Sequence, residues 1–128
     1  MNDSLYKEII LEHGQYPLNY GILENAAIDV TENNPLCGDQ IRLTINLLHD
    51  TLSDIQFTAE GCIIVKSSAS LFTERIKGMN IKDVLEISQQ QTLDLLGVTL
   101  TPSRTKCALL IYKTTHKALL SHSSKKKS

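Results

Sequence analysis

Absences narrow this chain before any motif does. No second cysteine lies within forty residues of Cys107, so the sequence holds no C-x-x-C pair. The three cysteines, Cys37, Cys62 and Cys107, are an odd number and widely spaced, which argues against a disulfide framework. No strong charge of one sign is present: 13 Lys and Arg against 14 Asp and Glu leave a formal net charge of −1. A balance this even gives no global drive toward nucleic acid or an anionic membrane, so neither is expected as a partner. No apolar run reaches the length of about 18 residues that a membrane-spanning helix needs. The N-terminus, MNDSLYKEIILEHG, carries acids where a secretion signal would be cationic and then apolar. The cytoplasm is the expected location. No internal repeat and no internal linker interrupt the chain.

What is there fits one domain. A chain of 128 residues can bury a core without disulfide staples. Its apolar share of 41% and charged share of 21% are those of an ordinary globular protein. Residues 1–120 are read as that domain. The polar and basic SHSSKKKS, residues 121–128, is read as a disordered tail.

Residues 4–13 place Leu5, Ile9 and Ile10 at helical spacing, with Gly14 and Pro17 ending the helix. Residues 14–25 form a loop rich in Gly, Pro and Asn. Three strands follow, over 26–33, 40–50 and 52–62. In the second, Ile41, Leu43, Ile45 and Leu47 alternate with Arg42, Thr44 and Asn46, which predicts one covered face and one wet face. The short connection around His49–Ser53 predicts an antiparallel hairpin. Beyond Cys62 the pattern turns helical: 63–78 closed by Gly78, 80–90 capped by Asn80, an ambiguous stretch over 92–102, and 103–120 capped by Ser103. The fold class is therefore α+β, a small three-stranded antiparallel sheet with helices packed on one face.

Each cysteine falls at a boundary between elements. Cys37 lies in NPLCGDQ between the first two strands, with Asp39 two positions on. Cys62 ends the third strand, and Cys107 sits in the first turns of the last helix. Three thiols and a carboxylate brought together would make a four-ligand S₃O site suited to Zn²⁺ or to iron–sulfur chemistry. Helix N-termini and the nearby Lys106 and Arg104 also favour a thiolate and hence a nucleophile. Burial of an inert thiol remains the third alternative for each cysteine. His13, His49, His116 and His122 are scattered and are read as structural or surface residues, His13 as helix-end packing. The run SSAS, residues 67–70, is read as close helix packing, since no Gly-rich phosphate loop accompanies it.

Over roughly residues 5–120 the chain resembles the U-type iron–sulfur cluster assembly proteins, the family of IscU, SufU and the N-terminal domain of NifU. The likeness rests on four segments in order: EHGQYPLNYGIL, NPLCGDQIRL, GCIIVKSSASLFTERIKG and LLGVTLTPSRTKCALL. The resemblance implies an IscU-like fold, and Cys37, Asp39, Cys62 and Cys107 as ligands of Zn²⁺, iron or a transient [2Fe–2S] cluster. It implies a cysteine desulfurase as sulfur donor and apo-iron–sulfur proteins as recipients. Cys107 and Cys37 are then the candidate persulfide acceptors, with Lys106 and Arg104 in support. The implied role is a scaffold or sulfur acceptor rather than a stand-alone enzyme. The alternative is a zinc-dependent sulfur-transfer partner that builds no cluster. IscU-type members carry His before the last cysteine, where SufU-type members carry Lys, as at Lys106. The 45 positions from Cys62 to Cys107 are IscU-like, because SufU-type members carry an extra segment there.

Overall fold

The computed structural model describes residues 3–34 and 38–127. The elements run α1 (Asp3–Gln15), β1 (Ile28–Asn34), β2 (Asp39–Leu48), β3 (Thr51–Glu60), α2 (Ile63–Ile76), α3 (Ile81–Leu85), α4 (Gln89–Asp94) and α5 (Pro102–Lys127). The strands form one antiparallel sheet in the order β1-β2-β3. The α+β architecture read from the sequence is the observed one.

Alternation sets the sheet's inner face. Ile41, Leu43 and Ile45 of β2 and Ile55 and Phe57 of β3 are fully buried, and Leu43 pairs with Phe57 while Ile45 pairs with Ile55. Against them pack α2, through Val65, Ala69, Phe72 and Ile76, and α5, through Ala108, Ile111, Ala118 and Leu119. The β2–β3 turn is two residues, His49 and Asp50, with His49 in the left-handed region at φ 58°. A register shift between Asn46 and Leu47 leaves Ser53 out of the ladder.

The outer face is drier than alternation predicts. Segment 18–27 crosses it: the Leu23 N–H donates to the Thr44 hydroxyl at 3.1 Å, and the Ala27 N–H to Asn46 Oδ1 at 3.1 Å. Thr44 is fully buried as a result, its hydroxyl donating to the Gln56 carbonyl. The edge of β3 is also occupied. Phe57 exchanges backbone hydrogen bonds with Asn19 and Gly21, and Leu52 with Gly78 and Met79.

The helical half differs from the sequence reading in detail. The stretch 80–90 is two helices, because Ser88 starts α4 with a reciprocal cap: Gln91 N–H donates to Ser88 Oγ, and Ser88 N–H donates to Gln91 Oε1. The last helix is capped by Thr101 rather than Ser103, with Pro102 at its first position, where a missing N–H costs nothing. Its backbone continues to Lys127, past the Leu120 end expected from the sequence.

Helix α2 is tied to its neighbours through the SSAS run. Ser67 donates to the Ile10 carbonyl of α1 at 2.6 Å, and Ser68 to the Ala108 carbonyl of α5 at 2.6 Å. The Ser70 hydroxyl receives the Leu18 N–H at 2.8 Å and meets His13 Nδ1 at 2.7 Å. This is the close packing expected of SSAS, and the helix-end role expected of His13. Gly14 lies inside α1, and a Cβ there would overlap the Ile63 side chain. We predict that Gly14→Ala destabilises the protein by about 1–3 kcal/mol in urea denaturation. The overlap outweighs the helix-propensity gain of about 1 kcal/mol. Trimming the obstacle with Ile63→Ala in the same chain should make the Gly14→Ala step favourable; a raised midpoint for Gly14→Ala alone would show that the overlap is absent.

Candidate metal centre

Three chain segments converge at one end of the sheet. Asp39 is the first residue of β2 and is 3% exposed. Cys62 caps the N-terminus of α2 in an extended conformation and is half-buried. Cys107 is the sixth residue of α5 and is 4% exposed. The carboxylate oxygen and the two sulfurs lie within 4.8 Å of one another. The Cys107 thiol donates to Asp39 Oδ2 at 3.1 Å across 68 positions of sequence. The three residues line a cleft of about 360 Å³ together with Gly61, Ser103 and Arg104.

Gly61 makes this convergence possible, and the sequence reading gave it no part in the site. Its φ of +147° disfavours any side chain, and a Cβ there would overlap Asp39 Oδ1. The signal was available: a glycine at a strand-to-helix junction, directly before a cysteine, marks a close approach.

Burial pushes the Cys107 thiol up, and the hydrogen bond to the Asp39 carboxylate and the nearby Cys62 push it further in the same direction. Expectation and structure part here. The sequence reading had the helix dipole and the adjacent cation lowering the thiol. Cys107 lies beyond the first turn of α5, where the dipole has faded. Lys106, one residue back, turns to a different face and lines a separate cleft with Asn33, Asn34, Leu110 and Lys113. Arg104 lines the cleft of the thiols, but its hydrogen bond among the described residues is a backbone N–H to Thr101 Oγ1 at 3.4 Å, which shapes the helix start. Cys37 lies outside the described residues. His13 is engaged with Ser70, and His116 meets the Tyr112 and Leu85 carbonyls with its two ring nitrogens, tying α5 to α3.

The donor set suits a borderline-soft ion. Ligand atoms around one tetrahedral Zn²⁺ stand about 3.5–3.8 Å apart, given bonds of about 2.0–2.3 Å. Two sulfurs and an oxygen already within 4.8 Å need only a small contraction. A metal would also replace the proton that Cys107 and Asp39 now share, so uptake releases protons and strengthens as pH rises.

Two outcomes follow from this geometry. The raised Cys107 thiol means that the folded chain keeps a proton the unfolded chain releases above about pH 9. Unfolding then sheds protons, so the metal-free protein should lose stability as pH rises beyond that value. In Cys107→Ser this part of the loss should vanish; an identical pH profile for both proteins in chemical denaturation would contradict it. For Gly61→Ala we expect Zn²⁺ affinity to fall about 10–100-fold in chelator competition, because Asp39 is displaced. Undiminished affinity would mean that Asp39 and Gly61 do not constrain one another.

Comparison with known proteins places this arrangement. The zinc-dependent sulfurtransferase SufU of Bacillus subtilis (strain 168) is 39% identical over 91% of this chain and 90% of its own length. That alignment spans 134 positions, so roughly 18 positions of the relative have no counterpart in the aligned part of this chain. The iron–sulfur cluster assembly scaffold protein IscU of Streptococcus pyogenes serotype M1 is 30% identical over 90% of this chain and 82% of its own. Among solved structures, FiSufU of Fervidobacterium islandicum AW-1, a candidate scaffold protein for the SUF system, superposes with a TM-score of 0.75. It is 26% identical, over 93% of this chain and 99% of that one. The model of the NifU-like N-terminal domain matches residues 5–128, and the chain belongs to that family.

Proposed function

We propose that this protein works in iron–sulfur cluster assembly. It accepts sulfur from a cysteine desulfurase and holds iron or a nascent [2Fe–2S] cluster, its cargo, for transfer to recipient apo-proteins. The observation that carries this reading is the buried convergence of Asp39, Cys62 and Cys107. Cys37 completes the set as the fourth ligand through its place in NPLCGD, two positions before Asp39. The relatives named as IscU scaffolds and as SufU support the same pathway.

The chemistry asked of these residues is modest. A thiolate, of Cys107 or Cys37, attacks the outer sulfur of the donor's persulfide. One S–S bond forms and one breaks, and the donor's thiolate leaves, so no net oxidant is needed. The Cys107 proton, which is donated to the Asp39 carboxylate, must leave before that sulfur can attack. A metal bound here would supply charge that keeps the thiols deprotonated. The Asp39 carboxylate is a harder and weaker partner for cluster iron than a fourth thiolate, which favours release of the cargo.

A second reading is a zinc-dependent sulfur relay that builds no cluster. Lys106 before the last cysteine and the 39% identical SufU favour it. Anaerobic reconstitution with iron, cysteine and a desulfurase separates the two. A visible absorption band that disappears in each of Cys37→Ser, Cys62→Ser and Cys107→Ser supports the scaffold. Tight Zn²⁺ binding with faster desulfurase turnover and no band supports the relay. Three variants that bind cluster and Zn²⁺ as well as the parent protein would sink both.

A further inference from the structure

Helix α5 presents a second row of residues to β1, away from the thiols. Lys106, Leu110, Lys113 and Lys117 stand at positions i, i+4, i+7 and i+11, one stripe of the helix. At its far end Lys117 is neutralised by Glu32 of β1. Toward the metal centre β1 offers no further acid. Opposite Lys113 and Lys106 it supplies the amides of Asn33 and Asn34. These four polar residues and Leu110 line a cleft of about 150 Å³. No carboxylate among the described residues pairs with either lysine. Among the described residues the buried Asn34 side-chain N–H₂ has no acceptor, a cost that an incoming acceptor would remove.

We propose that this cleft is a carboxylate-binding subsite that receives an acidic side chain of the sulfur-donating protein. Two ammonium groups and two amides with no acid among them select an anion. The volume admits a handful of heavy atoms, enough for an Asp or Glu side chain and too little for a nucleotide. The location favours a protein carboxylate. Asn34 stands three positions before Cys37, and Lys106 is bonded to Cys107 through the backbone. An acidic residue seated here anchors the donor beside the helix that carries Cys107 while leaving the cleft of Asp39, Cys62 and Cys107 open. The donor's identity rests on the function proposed above; the subsite's preference for a carboxylate does not.

Lys113 is the residue to test, since it lines this cleft and not that of the metal-centre residues. With a desulfurase that the parent protein stimulates, Lys113→Glu should raise the concentration for half-maximal stimulation about tenfold or more and flatten its salt dependence. Maximal turnover and Zn²⁺ stoichiometry should be unchanged. Half-saturation at the parent's concentration, with the parent's salt dependence, overturns the proposal. A second arm needs no desulfurase. An Asp-containing pentapeptide, titrated against its Asn counterpart and against inorganic phosphate at equal ionic strength, should shift the amide resonances of Asn33, Asn34 and Lys113. The shifts should be absent in Lys113→Glu. No shift, or equal shifts with the Asn peptide or with phosphate, also overturns it. A peptide response without any desulfurase stimulation would count against the proposed function and for the subsite.

Discussion

One contact ties the whole arrangement together: the Cys107 thiol on the Asp39 carboxylate, buried and 68 positions apart. Bringing them together requires β2 to begin where α5 begins its second turn. That in turn requires α5 to lie against both β1 and β2. A carboxylate and a thiol taken from water without partners would each be costly to bury. Placed against each other they satisfy one another, and Gly61 keeps a side chain from intruding on the carboxylate. The site is thus a meeting of three chain segments, held by the packing around it.

That packing is supplied by α2. Its N-terminus carries Cys62, and its second turn carries serines that reach in opposite directions, Ser67 to α1 and Ser68 to α5. The Ser68 bond lands on Ala108, the residue after Cys107, so the separation of the two sulfurs is set partly by a hydroxyl that touches neither. Gly14 under Ile63 fixes the same helix from the other side. Small residues in this region do what large ones do in the core: they set distances.

Much of this was legible in the sequence, for identifiable reasons. Alternation in β2 and β3 has a period that only a half-covered strand satisfies, and Ile41, Leu43, Ile45, Ile55 and Phe57 are buried as that pattern requires. The placement of cysteines at element boundaries showed that they could converge, and Cys62 and Cys107 do lie together. What sequence could not convey was direction around a helix axis in its tertiary setting. Lys106 adjoins Cys107 in the chain, yet one residue is about 100° of rotation, and it faces β1 instead. Nor does the sequence show that segment 18–27 folds back over the sheet, since its polar contacts with Thr44 and Asn46 are made by backbone N–H groups that every residue has. The protonated state of Cys107 was equally hidden, because it depends on a carboxylate that is remote in the chain.

The pairing of β3's outer edge with residues 19–21 and 78–79 bears on how such a chain avoids joining to its own copies. Unsatisfied N–H and C=O groups along a strand are a template on which another copy can grow a cross-β stack. A protein that must pass through states with open thiols already risks intermolecular joining through sulfur. Here two backbone segments cover the edge of the strand that leads to Cys62, at Leu52 and at Phe57, so much of that edge is closed to a second copy.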